Sequence, residues 1–193
     1  MMRPLSTTVW LALAACASTK GAEARRGQNL VRVADCAGPA LSLPDRIADT
    51  LTMCDPYAAR DAALASTVPG GYAGVLYDSA HRPVLLLTRP QAADSAKAAL
   101  ATPLAESHFP IMRAAVHAAR WDDLQLATWY SYVYPQIIGI KGLTGGYIDV
   151  IHNRISISVI DVHVRDRLIR KLVNLRLPCD LVMVTISGPN QLY

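Results

Sequence analysis

Apolar residues in the second half of the chain first alternate with polar ones and then recur at helical spacing. Ile155, Ile157 and Val159 alternate with Ser156 and Ser158, which predicts a strand with one buried face. An amphipathic helix is predicted next, over 162–175, with Asp161 as its cap. Its apolar face carries Val164, Leu168, Leu172 and Leu175. Residues 181–186 then predict another strand.

The same order of elements is predicted twice. Gly-Gly-Tyr begins a hairpin at residues 70–88 and again at 145–159, an offset of 75 residues. A helix at 91–101 and a strand at 111–118 complete the first copy. We therefore predict an α+β fold with two β-β-α-β units, small antiparallel sheets each packed by a helix. We expect the units to superpose with Tyr72 on Tyr147 and Val84 near Ile155.

A helix is predicted between the two units. Asp122 and Gln125 fit a capping box, and Pro135 is expected to kink or end the helix. Four aromatic residues crowd this segment: Trp129, Tyr130, Tyr132 and Tyr134. They predict either an aromatic ligand site or packing between the units, and their helical spacing favours packing.

Helix signals also precede the first unit. Ser42 with Asp45 fits a helix start, and residues 57–65 predict a second short helix. The predicted segments are a signal peptide 1–15, a tether 16–40, a helical lead-in 41–69, the first unit 70–120, the linking helix 121–144, the second unit 145–188 and a tail 189–193.

The first residues predict export. Arg3 is the only charge before Lys20, and an apolar stretch ends in small residues, which is typical of a secretory signal peptide. Leu13-Ala14-Ala15-Cys16 resembles the lipobox of bacterial lipoproteins, in which the cysteine is acylated and becomes the first mature residue. We expect lipidation of Cys16 and a periplasmic, membrane-anchored protein. The alternative is an ordinary signal peptide cut after Ala24, giving a secreted protein.

Composition narrows the class of protein. Of 193 residues, 52% are hydrophobic and 18% charged, so a folded core is expected rather than disorder. The 19 basic residues exceed the 15 acidic ones by too little to predict a nucleic-acid partner. No apolar run is as long as a membrane-spanning helix requires.

The cysteines suggest a disulfide. In an oxidising compartment Cys36 and Cys54 would close a loop of about 18 residues and stabilise the fold by about 3 kcal/mol. Cys179 would then be left over, although other pairings among the three cysteines stay open.

Motifs of catalysis are missing from the sequence. It has no Gly-x-Ser-x-Gly, no His-Glu-x-x-His and no Cys-x-x-Cys. Gly142–Gly146 leads into a predicted strand rather than a phosphate-binding helix. We predict that the protein is not an enzyme and needs no metal or cofactor.

The Gly-aromatic hairpins at 70–88 and 145–159, together with residues 41–51, resemble the pro-regions of bacterial chymotrypsin-like serine proteases of the alpha-lytic type. The resemblance covers about 41–188. Such a pro-region first assists folding and then inhibits, packing a three-stranded sheet on the protease with its C-terminal tail in the active site. The resemblance implies a protein partner, such as a serine protease, and a partner-binding role for Gln191, Leu192 and Tyr193. No protease sequence follows Tyr193, so we expect a free-standing relative.

Together these features predict a non-catalytic, exported and membrane-tethered binding protein with a pro-region-like fold. The alternative is a trans-acting inhibitor or folding chaperone of a chymotrypsin-like serine protease.

Overall fold

A computed structural model describes residues 31–32 and 56–187. Within them the chain forms two β-β-α-β units, which confirms the predicted α+β fold. The first unit comprises β2 (Tyr72–Tyr77), β3 (Pro83–Leu87), α2 (Ala93–Ala101) and β4 (Ala115–Ala118). The second comprises β5 (Leu143–Asp149), β6 (Arg154–Val159), α4 (Val162–Asn174) and β7 (Val182–Ile186). Three further elements are β1 (Val31–Arg32), α1 (Pro56–Thr67) and α3 (Asp123–Ile137).

Both sheets are mixed. Each hairpin is antiparallel as predicted, but the last strand of each unit runs parallel to the second hairpin strand. The strand orders are β2-β3-β4 and β1-β7-β6-β5. The parallel pair follows from the helix between those strands, because a helical crossover returns the chain to the same end of the sheet.

The structural alignment of the two units differs from the one that the repeated Gly-Gly-Tyr sequence predicts. A bulge lies between Tyr72 and Gly74 in β2 and between Leu143 and Gly145 in β5. Tyr72 therefore corresponds to Leu143, and the expected match of Tyr72 with Tyr147 is wrong.

Hydrogen bonds at the open ends of the hairpins agree with that register. The Thr88 N–H donates to the Gly71 carbonyl, and the Ile160 N–H donates to the Gly142 carbonyl (2.9 and 3.0 Å). Both glycines have positive φ (+69° and +97°), the conformation that glycine adopts without strain. Backbone conformation, rather than sequence similarity, therefore identifies which residues of the two units correspond.

Each unit has its own core. In the first, Leu85 and Leu87 of β3 pack against α1 and α2. In the second, Ile155 and Ile157 of β6 pack against α3 and α4. Burying each such side chain contributes about 1.5–3 kcal/mol. The predicted alternation in β6 is incomplete, because Ser156 on the opposite face is also buried.

Helix α3 contributes to the second core and also contacts α1 and β2. Its aromatic residues pack within the protein. Trp129 is 1% exposed and lies edge-on to Tyr132 (5.9 Å between ring centroids), while Tyr130 stacks on Tyr134 (5.0 Å). The Tyr130 hydroxyl donates to the Gly146 carbonyl. These contacts favour packing over an aromatic ligand site.

The helix starts predicted at Asp122 and Asp161 are confirmed, whereas the start predicted at Ser42 lies outside the described residues. Asp122 and Gln125 form a complete capping box on α3, and the Asp161 carboxylate accepts from the Val164 N–H on α4. Pro135 lies in the last turn of α3, which ends two residues later at Ile137.

Two predicted segments differ in detail. Residues 111–118 begin as a 3₁₀ turn, Ile111–Arg113, and only Ala115–Ala118 are a strand. Ile111 is buried in the first core, which explains its apolar character without a strand. Val31–Arg32, within the predicted tether, form β1 and pair with β7.

Between residues 56 and 187, no helix is both long enough and apolar enough to cross a membrane.

Candidate functional site

The two units meet where the second hairpin turn lies on the outer face of the first sheet. Gly74 of β2 faces Val150, and a Cβ at Gly74 would lie 2.6 Å from the Val150 Cγ1 atom. Gly74 also has φ +118°, a backbone conformation that residues other than glycine rarely adopt. Glycine here lets the turn approach the sheet closely.

Asn153 joins the turn to the segment after β4. Its Oδ1 atom accepts from the backbone N–H groups of Arg120 and Trp121, both at 2.8 Å. Its Nδ2 atom donates to the Trp121 carbonyl at 2.8 Å. Asn153 has φ +51°, a conformation that Asn tolerates better than most residues. One side chain thus makes three bonds across the junction.

A groove of about 340 Å³ lies at this junction. Residues 117–121 form one side and residues 151–154 the other, with Leu86 and Asp180 completing the lining. We call it the junction groove. The groove is open to solvent and lies between the end of β4 and the second hairpin turn.

Two arginines in the groove have different roles. Arg154, 17% exposed, donates to the carbonyls of His152 (3.2 Å) and Asp180 (3.0 Å), so it holds the turn to the segment before β7. Arg120 is 55% exposed, and its guanidinium lies 3.7 Å from the Asp180 carboxylate and over the Trp121 ring. Such an exposed pair contributes little stability, which leaves the Arg120 side chain able to bind a ligand.

The charge of the groove favours an anionic ligand. Arg120 and Arg154 face one carboxylate, Asp180, and His117 and His152 also line the groove.

His152 has a fixed orientation. Its Nδ1 atom lies 2.7 Å from the Asp149 Oδ2 atom, and its backbone N–H donates to Asp149 Oδ1. An Asp–His pair of this kind can orient an imidazole for proton transfer. The described residues that line the groove include no Ser, Thr, Cys or Lys, so this pair has no side-chain nucleophile beside it there.

A second pocket, of about 260 Å³, contains two carboxylates. Asp123 at the start of α3 and Asp61 of α1 both line it, together with Tyr72, Tyr77 and Phe109. Burial raises the pKa of Asp123 to about 6, and the negative charges of Asp61 and Asp122 add to the effect. The capping box predicted at this helix start accounts for Asp122 but not for the buried Asp123.

The predicted site residues lie almost entirely outside the described residues. This applies to the lipidation site Cys16, the proposed pair Cys36 and Cys54, and the tail Gln191, Leu192 and Tyr193. Cys179 is described and is a disulfide-bonded cysteine. Cys36 and Cys54 lie outside the described residues, so their pairing stays a prediction. Among residues 31–32 and 56–187, no three His, Cys, Asp or Glu side chains are grouped to hold a metal ion.

The junction groove is not predicted by the sequence. Three residues of its lining have ordinary positions in the sequence, because histidines on strands and polar residues in turns are common. These residues are His117, His152 and Asn153. No feature of the sequence pairs residue 120 with residue 153 or residue 154 with residue 180.

Comparison with models of known protein families yields no match. Comparison with curated proteins likewise yields no significant match.

Proposed function

We propose that this protein is an exported, membrane-tethered, non-catalytic binding protein, and that the junction groove holds an extended segment of a partner protein. The observation that carries the proposal is a groove beside β4 that presents arginine and histidine side chains. Export and tethering rest on the signal-like N-terminus and on the lipobox-like sequence at Cys16.

Strand β4 supports binding of an extended segment. It ends its sheet in the described part of the chain, pairing there with β3 alone. The backbone groups along its other side can accept an added strand, a common mode of peptide recognition. His117 and Ala118 of β4 also line the groove, so a segment beside β4 would reach the charged end.

The groove charges suggest what the segment carries. Arg120 can turn from the Asp180 carboxylate toward a ligand, because that contact is long and exposed. A guanidinium binds carboxylates through two parallel hydrogen bonds. We therefore expect the bound segment to carry an acidic side chain or its own C-terminal carboxylate near Arg120.

A reversal of charge at Arg120 tests this proposal. The tagged protein would be purified from the bacterial envelope after mild crosslinking, with wild type compared with Arg120→Glu. We expect a defined protein partner with the wild type and its loss with the variant at an unchanged melting temperature. Arg165→Glu, on α4 outside the groove lining, is the matched control and should keep the partner. Equal recovery with Arg120→Glu and wild type would contradict binding at the groove.

The second candidate is a trans-acting inhibitor or folding chaperone of a chymotrypsin-like serine protease. It is favoured by the three-stranded sheet of the first unit, the kind of element that the resembled pro-regions pack on their proteases. The test is to delete Gln191–Tyr193 and measure inhibition of a chymotrypsin-like protease from the same envelope. This candidate predicts inhibition by the full chain and a large loss on deletion. It fails if the full chain does not inhibit.

A further inference from the structure

The pocket that contains Asp61 and Asp123 shares no lining residue with the junction groove, and we call it the carboxylate pocket. It is formed by α1, β2, the start of α3 and parts of the segment 104–109, and its volume is about 260 Å³. Pockets that hold drug-sized ligands measure about 300–1,000 Å³. The carboxylate pocket therefore suits a small molecule or a single side chain.

The Asp123 carboxylate is buried in this pocket without a hydrogen-bond donor. Asp123 is 8% exposed, and among residues 31–32 and 56–187 no group donates a hydrogen bond to its carboxylate. The capping box of α3 uses Asp122 instead. Asp149, an aspartate of similar burial, accepts a hydrogen bond from the His152 N–H. Because burying an unpaired charge is costly, the contrast indicates that Asp123 can bind a ligand that supplies donors and positive charge.

The pocket is negatively charged. Asp61 and Asp123 both line it, and no Lys, Arg or His is among the described residues of its lining. Burial raises the pKa of Asp123 to about 6, and the negative charges of Asp61 and Asp122 add to that effect. The carboxyl is still ionised above neutral pH, and a bound cation would offset both effects. The charge of the pocket therefore selects a cation.

The other walls favour an organic cation over a metal ion. The rings of Tyr77 and Phe109 lie with centroids 5.2 Å apart and planes tilted by 59°, and Val75 and Leu104 add apolar surface. An aromatic face attracts a cation within about 6 Å of its centroid. Ca²⁺, in contrast, takes about six to eight oxygen ligands. In the described part of the chain, no three His, Cys, Asp or Glu side chains are grouped to hold a metal ion.

A primary ammonium on a short carbon chain meets these requirements. Its N–H groups can donate to a buried carboxylate, which a quaternary ammonium cannot do. We propose that the carboxylate pocket binds an alkylammonium group, with the nitrogen beside Asp123 and Asp61 and the carbon chain against Tyr77 and Phe109. The group belongs either to a free short-chain amine or to a lysine side chain of a protein. This site does not depend on the acidic segment expected in the junction groove.

Calorimetric titration of the full chain with n-butylamine tests the proposal. At about pH 8 the Asp123 carboxyl is ionised and the amine is protonated. n-Butanol has the carbon chain without the charge, and tetramethylammonium has the charge without N–H donors. We expect saturable binding of n-butylamine at millimolar concentrations and no binding of either control. No binding of n-butylamine, equal binding of either control, or tighter binding of Ca²⁺ would overturn the proposal.

A lysine residue blocked at its α-amino and carboxyl groups distinguishes the two sources of the ammonium. Tighter binding of the blocked lysine than of n-butylamine assigns the pocket to a protein side chain. Tighter binding of n-butylamine assigns it to a free amine, because the pocket then excludes a peptide backbone. Either result requires that n-butylamine binds in the first place.

Two matched variants locate the binding at the pocket. Asp123→Asn removes the buried charge and keeps the shape of the side chain, so it should fold and should weaken n-butylamine binding by about tenfold or more. Asp94→Asn changes an exposed aspartate on α2, outside the pocket lining, and should leave the affinity unchanged. Unchanged affinity in Asp123→Asn, or an equal loss in both variants, would contradict the site.

Discussion

Replacing Asn153 by alanine tests how the two units are held together. The change removes three hydrogen bonds to the segment after β4. The Arg120 N–H is exposed, so water replaces that bond at little cost. The two partly buried bonds to Trp121 contribute about 1 kcal/mol each. Alanine at φ +51° adds about 1 kcal/mol of strain, so we expect a loss of about 3 kcal/mol in the free energy of unfolding.

Asn153→Gly is the matched control. Glycine removes the same hydrogen bonds but accepts the left-handed conformation, so it should be more stable than the alanine variant by about 1 kcal/mol. Urea denaturation of the three proteins, followed by circular dichroism, measures both differences. A loss below about 1 kcal/mol for Asn153→Ala, or a glycine variant no more stable than the alanine variant, would refute this account of the junction.

Three further changes have expected outcomes. Arg120→Ala should alter the free energy of unfolding by less than about 1 kcal/mol, because its ion pair is long and exposed; a larger loss in urea would show a structural role. The raised pKa of Asp123, about 6, means that this carboxyl holds its proton more tightly in the folded than in the unfolded protein, so the contribution of Asp123 to stability should be greatest below about pH 4 and fall by about 3 kcal/mol as pH rises through 6. Asp123→Asn should abolish that fall in urea titrations at several pH values, and an unchanged pH profile would contradict the assignment. Cys16→Ser should move the protein from the membrane fraction to the soluble fraction, whereas a wild-type mature chain that begins at Arg25 without acyl mass would exclude the anchor.

Local sequence patterns predicted the elements of this fold well, because their causes lie within a few residues. Asp122 and Asp161 are followed three residues later by the N–H groups that they cap. The apolar spacing of α4 places Val164, Leu168 and Leu172 on one buried face. Such contacts are local and need no knowledge of the rest of the chain.

Properties that depend on distant contacts could not be predicted in this way. Gly71 and Gly142, both with positive φ, occupy corresponding positions in the two units. The repeated Gly-Gly-Tyr sequence instead predicted that Tyr72 corresponds to Tyr147. The junction groove arises because Val150 fits over Gly74, which brings Arg120 beside residues more than thirty positions away. Periodicity carries no information about such docking.

Site-specific photo-crosslinking in intact cells can show whether the junction groove holds a segment of a partner protein. A photoreactive residue at His117, inside the groove, is compared with one at Ala98, an exposed position on α2, which packs on the opposite face of the first sheet. Binding of a partner in the groove predicts a light-dependent adduct of one defined mass at residue 117, mapped to an acidic or C-terminal segment of the partner and lost in Arg120→Glu. No adduct at residue 117, or equal adducts at residues 117 and 98, would contradict it.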